Sequence, residues 1–141
     1  MSGLDLRAIA QELEDMVGSH CKKCYQPHYE QVVLRLRSKD GGNTDLVLVR
    51  GKRVYTSKRD RPMPQYPAPF AMVLRKSLTN ARLKAIEQIG FDRVLRFVFE
   101  NSHGRFHLYV EVFRDGNIIL TDGDDTVAYT HLRAHETASQ L

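Results

Sequence analysis

Asp92 and Arg93 set opposite charges side by side at the start of the apolar segment Val94-Leu95-Arg96-Phe97, directly after Gly90-Phe91. A planar guanidinium can grip a phosphate or stack on a base. A neighbouring carboxylate can hold that guanidinium in place, or accept hydrogen bonds from a ribose or a base edge. The first residues of a strand lie at the rim of a sheet, where both groups stay solvated. As a mere exposed ion pair they would contribute little to stability. A second set is purely basic. Arg50, Lys52 and Arg53 surround a glycine turn, Lys58, Arg59 and Arg61 lie in a proline-rich stretch, and Arg75 and Lys76 end an apolar segment, with Tyr55 and Tyr66 between them. Lysine and arginine neutralise phosphates, and aromatic rings stack on unpaired bases. The chemistry these residues suit is nucleic-acid binding; a solvated charged surface is the plain alternative.

Other constellations lead less far. Cys21-x-x-Cys24, flanked by His20 and His28, has the spacing of half a zinc site, but no second pair follows at a defined interval. A redox motif of this kind would open a helix after a strand, whereas Pro27 follows here. The two cysteines read as ordinary small core or edge residues. Asp122, Asp124 and Asp125 around Gly123 lack the closing glutamate of a calcium loop and read as a polar turn. Phosphate-cradling glycine loops and nucleophile elbows are absent, and no catalytic constellation or cofactor motif stands out.

The elements that must position these groups follow from periodicity. The spacing of Leu6, Ile9, Ala10, Leu13, Met16 and Val17 predicts an amphipathic helix over 4–17, with Ser2 and Asp5 as a capping box and Gly18 as its end. Extended segments are expected at 21–26, 29–37 and 45–50. Val32, Leu34 and Leu36 alternate with Val33, Arg35 and Arg37, which predicts a half-buried strand with a basic outer face. Gly41-Gly42-Asn43, Gly51-Lys52 and Asp115-Gly116 mark tight turns. Residues 57–69 hold four prolines and three basic residues and read as an extended loop whose last proline opens a helix over 69–78. Segments 83–86, 94–99, 106–113 and 117–120 complete a run of strands.

Size and charge fit that picture. A chain of 141 residues with 42% hydrophobic and 27% charged residues makes one domain with a genuine core. The net charge of +4 permits contact with nucleic acid or an anionic membrane. No apolar run approaches the roughly 20 residues of a membrane helix. There is no signal-peptide pattern, and a cytoplasmic location is the expectation. The fold class is α+β, mostly antiparallel sheet or sandwich, with an N-terminal helix and a second helix near 69–78. The stretch Tyr129–Thr137 has no clear apolar face and resembles translated adapter read-through. We therefore expect a domain over 1–127 and a tail of doubtful origin over 128–141. In that case His131 and His135 form no metal site; a short terminal helix is the competing reading.

Leu4-Asp5-Leu6-Arg7-Ala8, Tyr25-Gln26-Pro27, the strand-turn-strand of 30–50, Phe70–Leu78, Arg82–Gly90, Asp92-Arg93 and Gly116–Asp122 together resemble the NFACT N-terminal domain, also known as the fibronectin-binding protein A N-terminal domain. The resemblance covers nearly all of residues 4–122 and implies a domain that normally continues further. It implies a ribosome-associated quality-control factor that recognises an obstructed large ribosomal subunit carrying peptidyl-tRNA and recruits charged tRNA for template-free elongation. The ribosome makes the peptide bond, so an enzyme is not expected and neither is a cofactor. Partners would be the large subunit, tRNA, peptidyl-tRNA and the remaining domains of the full-length protein, not a membrane. The family's functional residues fall on Asp5, Asp92 and Arg93. With Arg53, Arg59, Arg61, Arg75 and Lys76 they form the expected RNA-binding set. For Asp5, helix capping is the alternative role.

The same fold resembles the N-terminal domain of formamidopyrimidine-DNA glycosylase. Ser2 and Gly3 stand where that enzyme needs a proline nucleophile and a glutamate, so glycosylase chemistry is not expected. A non-catalytic DNA-binding relative and a fibronectin-binding adhesion protein are the remaining rival classes.

Overall fold

The computed structural model describes residues 3–28, 30–58, 68–89, 93–112, 116–124 and 127–130. Helix α1 spans Gly3–Glu12 and runs into a 3-10 turn over Leu13–Met16. Strands β1 (His20–His28), β2 (Gln31–Arg37), β3 (Asn43–Val49) and β4 (Arg53–Ser57) precede helix α2 (Pro69–Leu78). Strands β5 (Arg82–Gln88), β6 (Val94–Asn101), β7 (Gly104–Glu111), β8 (Ile118–Asp122) and β9 (Val127–Thr130) follow it. The nine strands form one antiparallel sheet in the order β4-β3-β2-β1-β5-β6-β7-β8-β9.

That sheet is nearly cut in two. β1 and β5 share only the pair His20–Arg82, whereas every other neighbouring pair runs for several residues. Beyond the pair the strands part, and α2 packs chiefly on β1 while also reaching β6. Pro69 opens α2 at a position where its missing N–H costs nothing. Phe70, Ala71, Leu74 and Leu78, at helical spacing, make the buried stripe. Leu34, Leu46 and Leu48 of the first half join Leu95, Phe97, Phe99 and Leu108 of the second in one core with Leu13, Phe70, Leu74 and Leu78. The architecture is therefore a bent sheet closed over two helices.

Two local outcomes differ from the sequence expectation. The N-terminal helix tightens at Leu13 instead of continuing to residue 17. The chain must turn at once into β1: Val17 N–H donates to the Glu14 carbonyl, and Gly18, at φ +98°, donates its N–H to the Leu83 carbonyl at 2.8 Å. Val33, expected on the outer face, does lie there, but it is fully buried in a small second cluster with Tyr25 and Val47. The basic outer face therefore surrounds an apolar patch. Val127–Thr130 pair with β8 as β9, and the rest of the tail expected over 128–141 lies outside the described residues.

Cys21 and Cys24, three apart in a strand, would point to opposite faces in a regular strand. A register shift between Cys21 and Lys23 turns both inward, with their Sγ atoms 3.6 Å apart. Both are buried free thiols in the main core. The hydrogen bond with Cys21, and then burial, push the Cys24 thiol well above its ordinary value. A raised folded-state value means that stability is full below the unfolded thiol value and is lost as pH rises past it. Melting temperature of the wild type should fall more steeply than that of Cys24→Ala above about pH 8.5. At neutral pH the native thiols should resist alkylation that readily labels both in denaturant.

Arg75 ties α2 to β1. Its Nε donates to the Cys24 carbonyl at 2.8 Å, and its guanidinium lies 5.3 Å from the centre of the Tyr25 ring. The Arg35 guanidinium, held by Asp45 at 3.0 Å, also lies 5.7 Å from that ring. Two guanidiniums on one buried tyrosine exploit the negative face of its π-system. Arg75→Ala should destabilise the fold by about 1–3 kcal/mol. Arg75→Lys should restore only part of this in a denaturant melt, because an ammonium cannot reproduce the planar contact; full recovery would show that charge alone matters.

Candidate functional site

The turns at one end of the molecule converge. Ile89 N–H donates to the Val94 carbonyl at 3.0 Å and closes the connection that carries Asp92 and Arg93. β6 and β7 pair Val94 with Glu111, and Val112 N–H donates to the Arg93 carbonyl at 2.7 Å. From the other half of the sheet, Gly51 N–H donates to the Glu111 carbonyl at 3.2 Å. The β3–β4 turn, bearing Arg50, Lys52 and Arg53, is thus fixed beside the start of β6, bearing Arg93. Gly51 stands at φ +71°, a conformation that a side chain disfavours, and this is what makes the turn tight enough.

The β1–β2 connection joins the same rim. Arg50 N–H donates to the Glu30 carbonyl at 2.7 Å, and Lys52 Nζ reaches Glu30 Oε2 at 3.5 Å. Arg53 is exposed, with its guanidinium 5.1 Å from the centre of the Tyr55 ring. Arg93 is exposed as well. The exposed positions on this rim are dominated by basic groups, with Glu30 as a local counter-charge.

Helix α1 reaches the rim from the side. The hydrogen bonds of Gly18 and Ser19 with Leu83 pin its C-terminal end to the start of β5. Its first turns therefore run toward the end of β5 and the connection that follows. Between α1 and β5 lies an open groove of about 470 Å³, lined by Arg7, Ala10, Gln11, Glu14, Ile86 and Gln88. Asp5 occupies the first turns of this helix; its side chain lies outside the described set.

The expected RNA-binding residues therefore fall into three groups. Arg93 and Arg53 share the rim through Glu111 and the β3–β4 turn. Arg75 and Lys76 sit in the last turn of α2, whose Ser77 carbonyl accepts from Asn101 Nδ2 near the opposite end of the strands. Arg75 is engaged with Cys24 and Tyr25 in the structural contact described above, and Lys76 is exposed. Asp92, Arg59 and Arg61 lie outside the described residues. Sequence reasoning missed Glu111, whose backbone carbonyl links the two halves of the rim, and the meeting of Gln11 and Gln88 on one groove. Only the period of the helix set against that of the strand could have brought those two glutamines together.

Among the described residues no group of three or more histidine, cysteine or acidic side chains is placed to hold a metal ion. No helix among them is long and apolar enough to cross a membrane.

Comparison with known proteins fits the geometry. The family of NFACT N-terminal and middle domains matches residues 2–140. The archaeal Rqc2 homolog aRqcH of Methanocaldococcus jannaschii is 36% identical over 132 residues, covering 90% of this chain and 20% of that protein. The human ribosome quality control complex subunit NEMF is 35% identical over 122 residues, covering 86% of this chain and 11% of that protein. The chain thus spans a fifth or less of these two relatives. The solved N-terminal part of the fibronectin/fibrinogen-binding protein from Streptococcus suis superimposes with a TM-score of 0.84 at 29% identity, covering 93% of this chain and 53% of that structure. With an antiparallel sheet, two helices and a family match along nearly its whole length, this chain belongs to the NFACT N-terminal domain family and is homologous to ribosome quality-control factors.

Proposed function

We propose that this chain is the RNA- and ribosome-binding module of a ribosome quality-control factor. In this reading the full-length protein, in the cytoplasm, binds an obstructed large ribosomal subunit that still carries peptidyl-tRNA. It then recruits tRNA for template-free extension of the nascent chain. The module is a recruiter and not an enzyme; peptide-bond formation belongs to the ribosome.

The observation behind this reading is the rim, where Glu111 and Val112 hold the Arg50–Arg53 turn and Arg93 together although more than one strand pair separates them. Backbone hydrogen bonds hold the turns that carry these cations beside one another, where a polyanion can meet them together, and each phosphate neutralised releases counterions. Arg93 would take a phosphate or a base face, Asp92 would orient it, and Asp5 would close the site from α1. Arg59, Arg61 and Lys76 would extend the electrostatic footprint. Kinship of this fold with the N-terminal domain of formamidopyrimidine-DNA glycosylase belongs to the same reading, as an inheritance of nucleic-acid binding without the chemistry.

A second reading takes its support from the name of the Streptococcus suis neighbour, a fibronectin/fibrinogen-binding protein. An adhesion function would depend on fibronectin binding that survives high salt.

Titrating tRNA into the 141-residue chain over a salt series separates the two. The wild type should lose affinity as salt rises. Arg93→Ala, and Arg50→Ala with Lys52→Ala, should bind several-fold more weakly, with a salt slope reduced by about 0.7–0.9 for each phosphate contact removed. Variants that bind tRNA as the wild type does would sink the rim as the RNA site, and salt-resistant fibronectin binding would favour adhesion. Gly51→Ala, strained at positive φ, should cost about 1–2 kcal/mol of stability. It should also weaken tRNA binding at temperatures where the variant remains folded; unchanged tRNA affinity would detach the turn from the site.

A further inference from the structure

Cys21 and Cys24 stand closer together than their spacing allows in a regular strand. Their partners on β2 are Leu36 and Leu34, which are only two residues apart. The bulge has absorbed one residue, so the two cysteines share the inner face as next neighbours on it. Two residues of strand rise span about 6.6 Å between Cα atoms. A disulfide bridges Cα atoms up to about 6.8 Å apart, and a bond near that limit is strained and readily reduced. The two Sγ atoms already touch at 3.6 Å. Among the described residues no third histidine, cysteine or acidic side chain joins them, so the chemistry open to the pair is that of two sulfurs alone.

The same two residues seat the C-terminal end of α2. Arg75, in its last turn, donates from Nε to the Cys24 carbonyl at 2.8 Å. Just past the helix, Asn80 N–H donates to the Cys21 carbonyl at 2.9 Å, and Cys21 N–H donates to the Ala81 carbonyl at 2.8 Å. Phe70, Leu74 and Leu78 of α2 share the core with both thiols, which are fully buried. An oxidant therefore reaches the sulfurs only when the helix lifts from β1, a local opening short of unfolding. Drawing the sulfurs to the bonding distance of about 2.0 Å pulls on the two backbone points to which the helix is tied.

We propose that Cys21 and Cys24 form a reversible oxidation site, closed to an internal disulfide by a peroxide, whose state is coupled to the seating of α2. One thiolate attacks the peroxide oxygen and becomes a sulfenic acid, and the released hydroxide takes up the proton that the thiol lost. The second thiol then displaces the sulfenic oxygen as water. Two thiols and one hydrogen peroxide yield one disulfide and two waters; the sulfurs give up two electrons and the peroxide gains them. Coupling of this kind is reciprocal. Whatever loosens α2 favours the disulfide, and the disulfide loosens α2. The site needs no RNA and stands apart from the function proposed above.

Dilute hydrogen peroxide added to the 141-residue chain tests this. The chain has two cysteines, so the products are few. In the monomer, the fragment carrying both should lose the mass of two hydrogens, and dithiothreitol should restore it. Arg75→Ala, at a temperature where it remains folded, should close the disulfide several-fold faster than the wild type. Arg75→Lys, which keeps the charge, should fall between them. Amide exchange over residues 69–81 should be several-fold faster in the oxidised protein than in the reduced one. Cys21→Ala and Cys24→Ala should show no such response to peroxide, which separates the bridge from oxidation of the four methionines. A sulfinic acid or an intermolecular dimer in place of the internal bridge would overturn the pairing. A bridge that closes at one rate in the wild type and both Arg75 variants, or that leaves exchange over 69–81 unchanged, would overturn the coupling to α2.

Discussion

The fold depends on how the sheet turns back on itself between β1 and β5. Four backbone hydrogen bonds hold that corner: Gly18 N–H to Leu83, Leu83 N–H to Ser19, Cys21 N–H to Ala81, and Asn80 N–H to Cys21, all between 2.8 and 2.9 Å. Asn80, at φ +59°, takes the left-handed conformation that asparagine tolerates better than most residues. With one strand pair at the junction instead of a full ladder, the two halves can face a common core. α2 fills the opening that the missing pairs leave. Without that corner Phe70 and Leu74 would lack one of their two walls, and the β3–β4 turn would lie far from the end of β7.

The rim is a consequence of this packing more than of local sequence. Arg50, Lys52 and Arg53 belong to one half, Arg93 to the other, and the Glu111 carbonyl joins them. The outer face of β1–β4 shows another use of the same residue type. There Arg35 and Arg75 are committed to Asp45, to the Cys24 carbonyl and to the ring of Tyr25. Arginine thus serves several ends in this domain: at the rim Arg53 and Arg93 are exposed, with Arg53 over the Tyr55 ring, and over Tyr25 Arg75 binds the helix to the sheet. The Glu87–Arg96–Tyr109 row on β5–β7 is a third, with Arg96 raised further above its ordinary range by hydrogen bonding to Glu87 and then to Tyr109.

Much of this was legible in the residues. Pro69 and the spacing of Phe70, Leu74 and Leu78 marked α2, and alternation around Val32–Arg37 marked β2. Gly51-Lys52 marked the turn at the centre of the rim. What alternation could not reveal was that Val33 meets Val47 and Tyr25 on the outer face, because a strand's own pattern does not say what lies on each side. Cys21 and Cys24 read as ordinary small core or edge residues and do lie in the core; their closeness was not legible, because the spacing places two thiols on one face only after a bulge, and a bulge has no reliable signature in one sequence. The engagement of Arg75 with Cys24, 51 residues away in the chain, was likewise invisible, since it depends on where α2 lands. Asp92-Arg93 was singled out by resemblance, whereas the neighbourhood of Arg93 with Arg50–Arg53 required the fold.

The hydrogen bond from Gly51 to Glu111 also fixes an order of events at birth. Its two ends are separated by roughly 60 residues, and such distant pairings form late because the intervening chain must be closed first. A chain emerging from the ribosome can build the β2–β3–β4 meander, with its basic turn, long before β7 exists to receive it. The joined rim therefore cannot arise until the chain is made past Val112. Partly synthesised copies of the domain would carry the separate cations without the arrangement that unites them.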